Sequence, residues 1–119
     1  MKIAISSMAL EDIEECLIWS ASNFGRAAAK RYRQLLAVAL SELAENPSIP
    51  GSRIQASLQP DIRLYHLSHS RKRAPVEGLV VKRPRHFIVY RVAGEETLEV
   101  LRVLDDRMDL ESQALDAGG

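Results

Sequence analysis

The 119-residue sequence predicts an α+β domain: an N-terminal strand and a helical hairpin packed on one face of a mostly antiparallel sheet, in the order β-α-α-β-β-β with a short C-terminal helix. Three observations predict it. Two long stretches in the first half carry apolar residues at helical spacing. The chain changes period after a loop rich in Pro, Gly and Ser ("PSIPGS"). Three β-branched and aromatic runs then follow within the second half. The length suits one domain with a single core, residues 1–119.

The elements follow in order. "KIAI" opens as a short strand. Ser6 and Ser7 offer a helix N-cap, and Glu11 and Asp12 suit the positive end of the helix dipole. Over residues 8–22, Leu10, Ile13, Leu17 and Ala21 fall within about 80° of one another on the helical wheel, which makes them the expected core stripe. Trp19 points away from that stripe and, with Ile18, adds apolar surface outside it. "SNFG" (22–25) breaks the pattern, so a connection of about three residues joins the first helix to a second. In "RAAAKRYRQLLAVALSELAEN", Ala28, Tyr32, Leu35, Leu36, Ala39 and Leu43 share one face, while Lys30, Arg31, Arg33 and Glu42 mostly stay off it. Asn46-Pro47 stops the helix.

"IRLYHLSH" (62–69), "RHFIVYRV" (centred on 86–92) and "TLEVLRVL" (97–104) are the expected strands, with "AGEE" as the hairpin link between the last two. Period-two alternation puts Arg63, Tyr65 and Leu67 on one face, and Leu98, Val100, Arg102 and Leu104 on another. "DDRMDLESQAL" suits one or two helical turns, and 116–119 reads as a frayed, disordered tail.

Composition excludes several classes. No apolar run approaches the length needed to span a bilayer. The N-terminus turns acidic too early for a secretory signal. Cys16 is the single cysteine, which rules out an internal disulfide and suits a cytoplasmic protein. His66, His69 and His86 lack metal-ligand spacing, so neither a metal nor a cofactor is expected.

Charge is zoned. The chain has 16 basic and 16 acidic side chains, yet residues 1–62 carry a net −1, residues 63–91 a net +7 and residues 92–119 a net −6. Such zoning marks either a partner's footprint or attraction between the protein's own segments.

The stretches "LEDIEECLIWSASNFGRAAAKRYRQLLAVALSELAENPSI", "DIRLY", "RHFIVYRV" and "LEVLRVLDDRMDLESQAL" resemble, in this order, the ParE branch of the ParE/RelE toxin superfamily of toxin–antitoxin systems. The final block, Val100 to Leu104 followed by Arg107-Met108-Asp109, is the most specific. It is supported by Asn23, Phe24, Gly25, Arg31 and Tyr32 of the helix signature. The resemblance implies a cytoplasmic bacterial toxin that inhibits DNA gyrase and is held inactive in a hetero-oligomer with a cognate ParD-like antitoxin. Any DNA contact would be indirect, through the gyrase complex. RelE-like relatives instead cut mRNA in the ribosome, so the site must decide the function.

Ribonuclease chemistry needs a base for the ribose 2′-OH, an acid for the leaving oxygen and cations on the phosphate. The groups on hand are Arg63, Tyr65, His86, Tyr90, Arg91, Arg102 and Asp105. Many ParE-like chains have His where this one has Asp105, and two adjacent acids there repel an RNA backbone. No catalytic residue is therefore assigned. The candidate partner-binding residues are Trp19, Arg63, Tyr90, Arg102, Arg107, Met108 and Asp109. Arg102, Arg107, Met108 and Asp109 come from the family's C-terminal target segment. Trp19 is expected to anchor an antitoxin segment.

Two further expectations concern packing and the basic run. "FIVY" and "VLRVL" are apolar on both faces, which calls for a second cover such as an antitoxin helix or strand. About 16 residues, 70–85, stand where many ParE-like chains have a tight turn. Pro75, Gly78 and Pro84 argue against a helix there, and "LVV" suits a hairpin edge. Its Arg71, Lys72, Arg73, Lys82, Arg83 and Arg85 suit an acidic antitoxin, solvent or gyrase-bound DNA. Without interleaved aromatics or a reading helix, sequence-specific DNA binding is not expected.

Overall fold

The computed structural model describes residues 1–55, 59 and 61–107. Strand β1 (Lys2–Ile5) leads into helices α1 (Ser7–Phe24) and α2 (Arg26–Glu45), then strands β2 (Arg53–Ile54) and β3 (Arg63–His66). A 3-10 helix (Leu67–Arg73) and strands β4 (His86–Ala93) and β5 (Thr97–Asp105) follow. The five strands form one sheet in the order β1-β5-β4-β3-β2. Only β1 and β5 run parallel, and the other neighbours are antiparallel, so the expected α+β architecture holds. Of the C-terminal helix expected over 105–115, Asp105 instead ends β5 and residues 106–107 form a turn, while the rest and the 116–119 tail lie outside the described residues.

Ser6 caps α1 as its sequence position suggests. Its Oγ accepts the Ala9 N–H at 3.0 Å and donates to the Leu101 carbonyl at 2.8 Å, so one hydroxyl starts the helix and ties it to β5. The core stripe of α1 differs from the expected one. Ala9, Cys16 and Ser20 are buried, Ile13 and Leu17 pack partly, and Leu10 is 54% exposed. Small side chains let this helix approach the sheet closely, and the large residues flank the contact.

The helix connection is also shorter than expected. α1 continues through Phe24, and Gly25 alone links it to α2. At φ +92° Gly25 occupies a backbone region closed to most side chains. Its N–H donates to Ala21 O at 2.9 Å, while its carbonyl accepts from Ala29 at 3.2 Å. On α2 the buried face is Ala29, Tyr32, Leu35, Leu36, Ala39, Leu40, Leu43 and Ala44, close to the predicted stripe.

Three sheet details depart from the sequence reading. The two-residue β2 was not anticipated. The strand expected over 62–69 stops at His66, because the His66 side chain accepts the Ser68 N–H and starts the 3-10 helix, which takes in residues 70–73 of the supposed loop. The remainder holds a single bridge, Val76 to Leu79. A β-bulge is the third. Val89 pairs with Arg102 and Tyr90 with Val100, leaving Leu101 as the extra residue. Alternation therefore resets within β5. Leu98 and Val100 join the core beneath the helices, whereas Leu104 joins Ile62, Leu64, Val89 and Leu101 in a second apolar cluster. The five residues of this second cluster are buried.

Candidate partner-binding site

At the end of β5, beyond the reach of β1, Asp12 of α1 takes over the strand edge. One of its carboxylate oxygens accepts the Val103 N–H at 3.0 Å and the Arg102 Nε–H at 2.7 Å. The other accepts from the second arm of the guanidinium at 2.9 Å. Arg102 is only 9% exposed. The predicted partner-binding Arg102 is thus engaged inside the fold by α1. A buried bidentate pair of this kind is costly to break from one side.

Arg63 and Tyr90 are likewise engaged internally. They face each other across β3 and β4, and Ser52 joins them: its hydroxyl accepts Arg63 Nε–H at 2.9 Å and contacts the Tyr90 hydroxyl. Tyr90 is fully buried and donates to Pro47 O at 2.6 Å, which pins the loop after α2 to the sheet. Gly51, in the same loop, has φ +101°, and a Cβ there would lie 2.6 Å from the His69 ring.

Arg107 is exposed and folds back on Asp105, with both guanidinium contacts at 3.0 Å. Those hydrogen bonds hold the Asp105 carboxyl well below its ordinary range, at about 2. Asp106 pairs with His66 at 3.0 Å. Met108 and Asp109 lie outside the described residues.

The basic segment divides into two functional halves. Its N-terminal half is structural. Arg73 binds Glu42 of α2 and the His69 carbonyl, Ser70 donates to Glu42 at 2.6 Å, and the Tyr65 and Ser70 hydroxyls lie 2.7 Å apart. The Arg73 hydrogen bonds, aided by Ser70, lower the Glu42 carboxyl. Arg71 Nε–H donates to Val81 O at 2.9 Å, and Lys72 is exposed.

The C-terminal half forms one wall of a cleft of about 800 Å³. Leu79, Val80, Val81, Lys82, Arg83 and Arg85 face Trp19, Ser20 and Phe24 of α1 and Ala28, Arg31 and Tyr32 of α2. Trp19 is 40% and Phe24 67% exposed, and their rings meet edge to face with centroids 5.4 Å apart. The predicted Trp19 surface and half of the predicted basic residues therefore converge on one concavity. The single-residue Gly25 link fixes this arrangement, since it holds the end of α1 against the start of α2.

Behind the cleft lies a polar network that the sequence reading missed. The Tyr32 hydroxyl accepts the Arg85 N–H at 3.0 Å and sits 2.6 Å from His86 Nδ1, with Cys16 Sγ 3.8 Å from the same nitrogen. Donation from Tyr32 to Nδ1 leaves a neutral ring protonated at Nε2. Burial lowers the His86 pKa, and burial together with the Asp105 charge pushes the Cys16 thiol up to about 12, so the thiol stays protonated and unreactive. The signal was available: Tyr32 on a core stripe and His86 opening a core strand are polar groups that need partners. Among the described residues, no three His, Cys, Asp or Glu side chains gather as a metal site, and no helix is long and apolar enough to cross a membrane.

Residues 3–110 match the family described as ParE toxin of type II toxin-antitoxin system, parDE. A search of curated proteins returned no match. The family match spans nearly the whole of the fold just described, from β1 through β5, and the chain belongs to the ParE toxin family of type II toxin–antitoxin systems.

Proposed function

We propose that this toxin inhibits DNA gyrase by binding, in the cytoplasm, and that a ParD-like antitoxin neutralises it. The family match over residues 3–110 carries the reading, since a toxin–antitoxin family implies an antitoxin partner. The side-chain chemistry supports a binding mechanism over RNA cleavage. His86 is buried and hydrogen-bonded to Tyr32, His66 is tied to Asp106, and Arg63 and Arg102 are engaged within the fold. Asp105 and Asp106 close the last strand with negative charge, which disfavours a phosphate backbone.

In this reading the toxin engages the gyrase–DNA complex and hinders religation, with no catalytic residue and no cofactor of its own. Trp19 and the basic cleft residues form a partner surface, and Arg107 with Met108 and Asp109 belongs to the target segment. The test is gyrase supercoiling and DNA cleavage with the purified protein, beside ribosomes programmed with mRNA. Lost supercoiling with trapped cleaved DNA and intact mRNA is the expected result. Untouched gyrase with cut codons would replace it by RelE-like endonuclease activity.

A further inference from the structure

The cleft between the α1–α2 junction and residues 79–85 combines an apolar floor with a cationic rim. Trp19, Phe24 and Leu79 are large apolar side chains left in the open, at 40%, 67% and 59% exposure, and Ala28, Val80 and Val81 extend the floor. Arg31, Lys82, Arg83 and Arg85 stand around it. Among the described residues, no acidic side chain lines the cleft, and none of these four cations pairs with a carboxylate. The 79–85 wall is held at two points, by the Arg85 N–H bond to Tyr32 and by the Arg71 bond to Val81 O. A preformed groove of this kind binds without first ordering itself.

We propose that this groove docks an acidic amphipathic peptide segment of the neutralising partner. Leucine- or phenylalanine-sized side chains of that segment pack on Trp19, Phe24 and Leu79, and its carboxylates meet Arg31, Lys82, Arg83 and Arg85. The proposal rests on the toxin–antitoxin reading above and adds the place and the chemistry of recognition. Charge complementarity selects an acidic occupant. Leu79, Ala28, Val80 and Val81 in the floor favour inserted side chains over stacked bases, and the edge-to-face Trp19–Phe24 pair does not form a flat stacking platform.

Trp19 is the only tryptophan of the chain, so its fluorescence reads the groove directly. The full-length protein is titrated separately with a helical leucine–glutamate peptide, with polyglutamate and with oligothymidylate. The leucine–glutamate peptide is expected to shift Trp19 emission saturably and more tightly than either other probe. Arg83→Glu combined with Arg85→Glu should weaken it at least about tenfold, whereas Arg33→Glu, on the exposed side of α2, should not. Tighter oligothymidylate binding, no emission shift, or equal loss from Arg33→Glu overturns the proposal. The same variants are then assayed against the antitoxin encoded beside the toxin. A complex of unchanged affinity with Arg83→Glu/Arg85→Glu sinks the groove assignment while the toxin–antitoxin reading stands. A protein that binds the peptide as expected but neither engages that antitoxin nor affects gyrase sinks the functional reading instead.

Discussion

Arg102 and Arg83 carry the same guanidinium and are put to opposite uses. Arg102 sits at the end of β5, 9% exposed, gripped by both oxygens of Asp12, which also satisfies the Val103 N–H. Arg83 stands on an exposed rim with Lys82, Arg85 and Arg31, around a floor with no acid among the described residues. In the sequence both were candidates, Arg102 as part of the family's C-terminal target segment and the basic run as suited to an acidic antitoxin, solvent or gyrase-bound DNA. The fold separates them. What an arginine does depends on whether the backbone delivers a carboxylate to it, and Asp12 of α1 reaches Arg102.

The comparison can be broken at its strongest point first. Asp12→Ala takes the bidentate carboxylate from a buried cation and the acceptor from a strand N–H, and should cost about 3–5 kcal/mol of stability in a urea titration. A loss under about 1 kcal/mol would mean that Arg102 escapes to solvent and that the two regions are less different than described. Tyr32→Phe removes the hydroxyl that receives the Arg85 N–H and reaches His86. A loss of about 1–3 kcal/mol is expected, along with altered Trp19 emission, because the bond anchors a cleft wall.

Acid should act through His86. Burial depresses its pKa in the folded state below the ordinary 6.5, so the unfolded chain takes up a proton that the folded one refuses. The stabilising effect is complete above about pH 6.5 and is lost as pH falls, by up to about 1.4 kcal/mol per pH unit. Urea midpoints from neutral to mildly acidic pH should show this slope in the native chain and a shallower one in His86→Phe. Asp105, held at about 2, keeps its own contribution until far stronger acid. The smallest effect belongs to the rim: Arg83→Glu should move stability by no more than about 0.5 kcal/mol. A large loss there would show that the rim arginine, like Arg102, serves the fold.

Most of the architecture was legible because periodicity reports burial. The α2 stripe and the cores of β4 and β5 emerged from it directly. The misplaced α1 stripe shows the limit of a wheel weighted by size. Ala9, Cys16 and Ser20 make the close contact because they are small, and Leu10 is left outside. The bulge at Leu101 is a property of two paired strands, so alternation along β5 alone could not reveal it. The 3-10 helix begins with a side-chain cap from His66, a local competitor that the β-rich composition of 62–69 masked. Of the partner surface, Trp19 was legible as an apolar residue off the stripe. Its meeting with Lys82, Arg83 and Arg85, more than sixty positions away, required the fold.

The parallel pairing of β1 with β5 has a consequence for synthesis. Residues Lys2 to Ile5 find their partners only at Thr97 to Val100, and Ser6 waits for Leu101. As the chain leaves the ribosome, its first strand and the cap of its first helix remain without their β5 partners until 95 further residues have been added. Contacts this distant also slow folding. Products of premature termination before β5 cannot close the sheet, and the finished surface exists only in chains translated through β5.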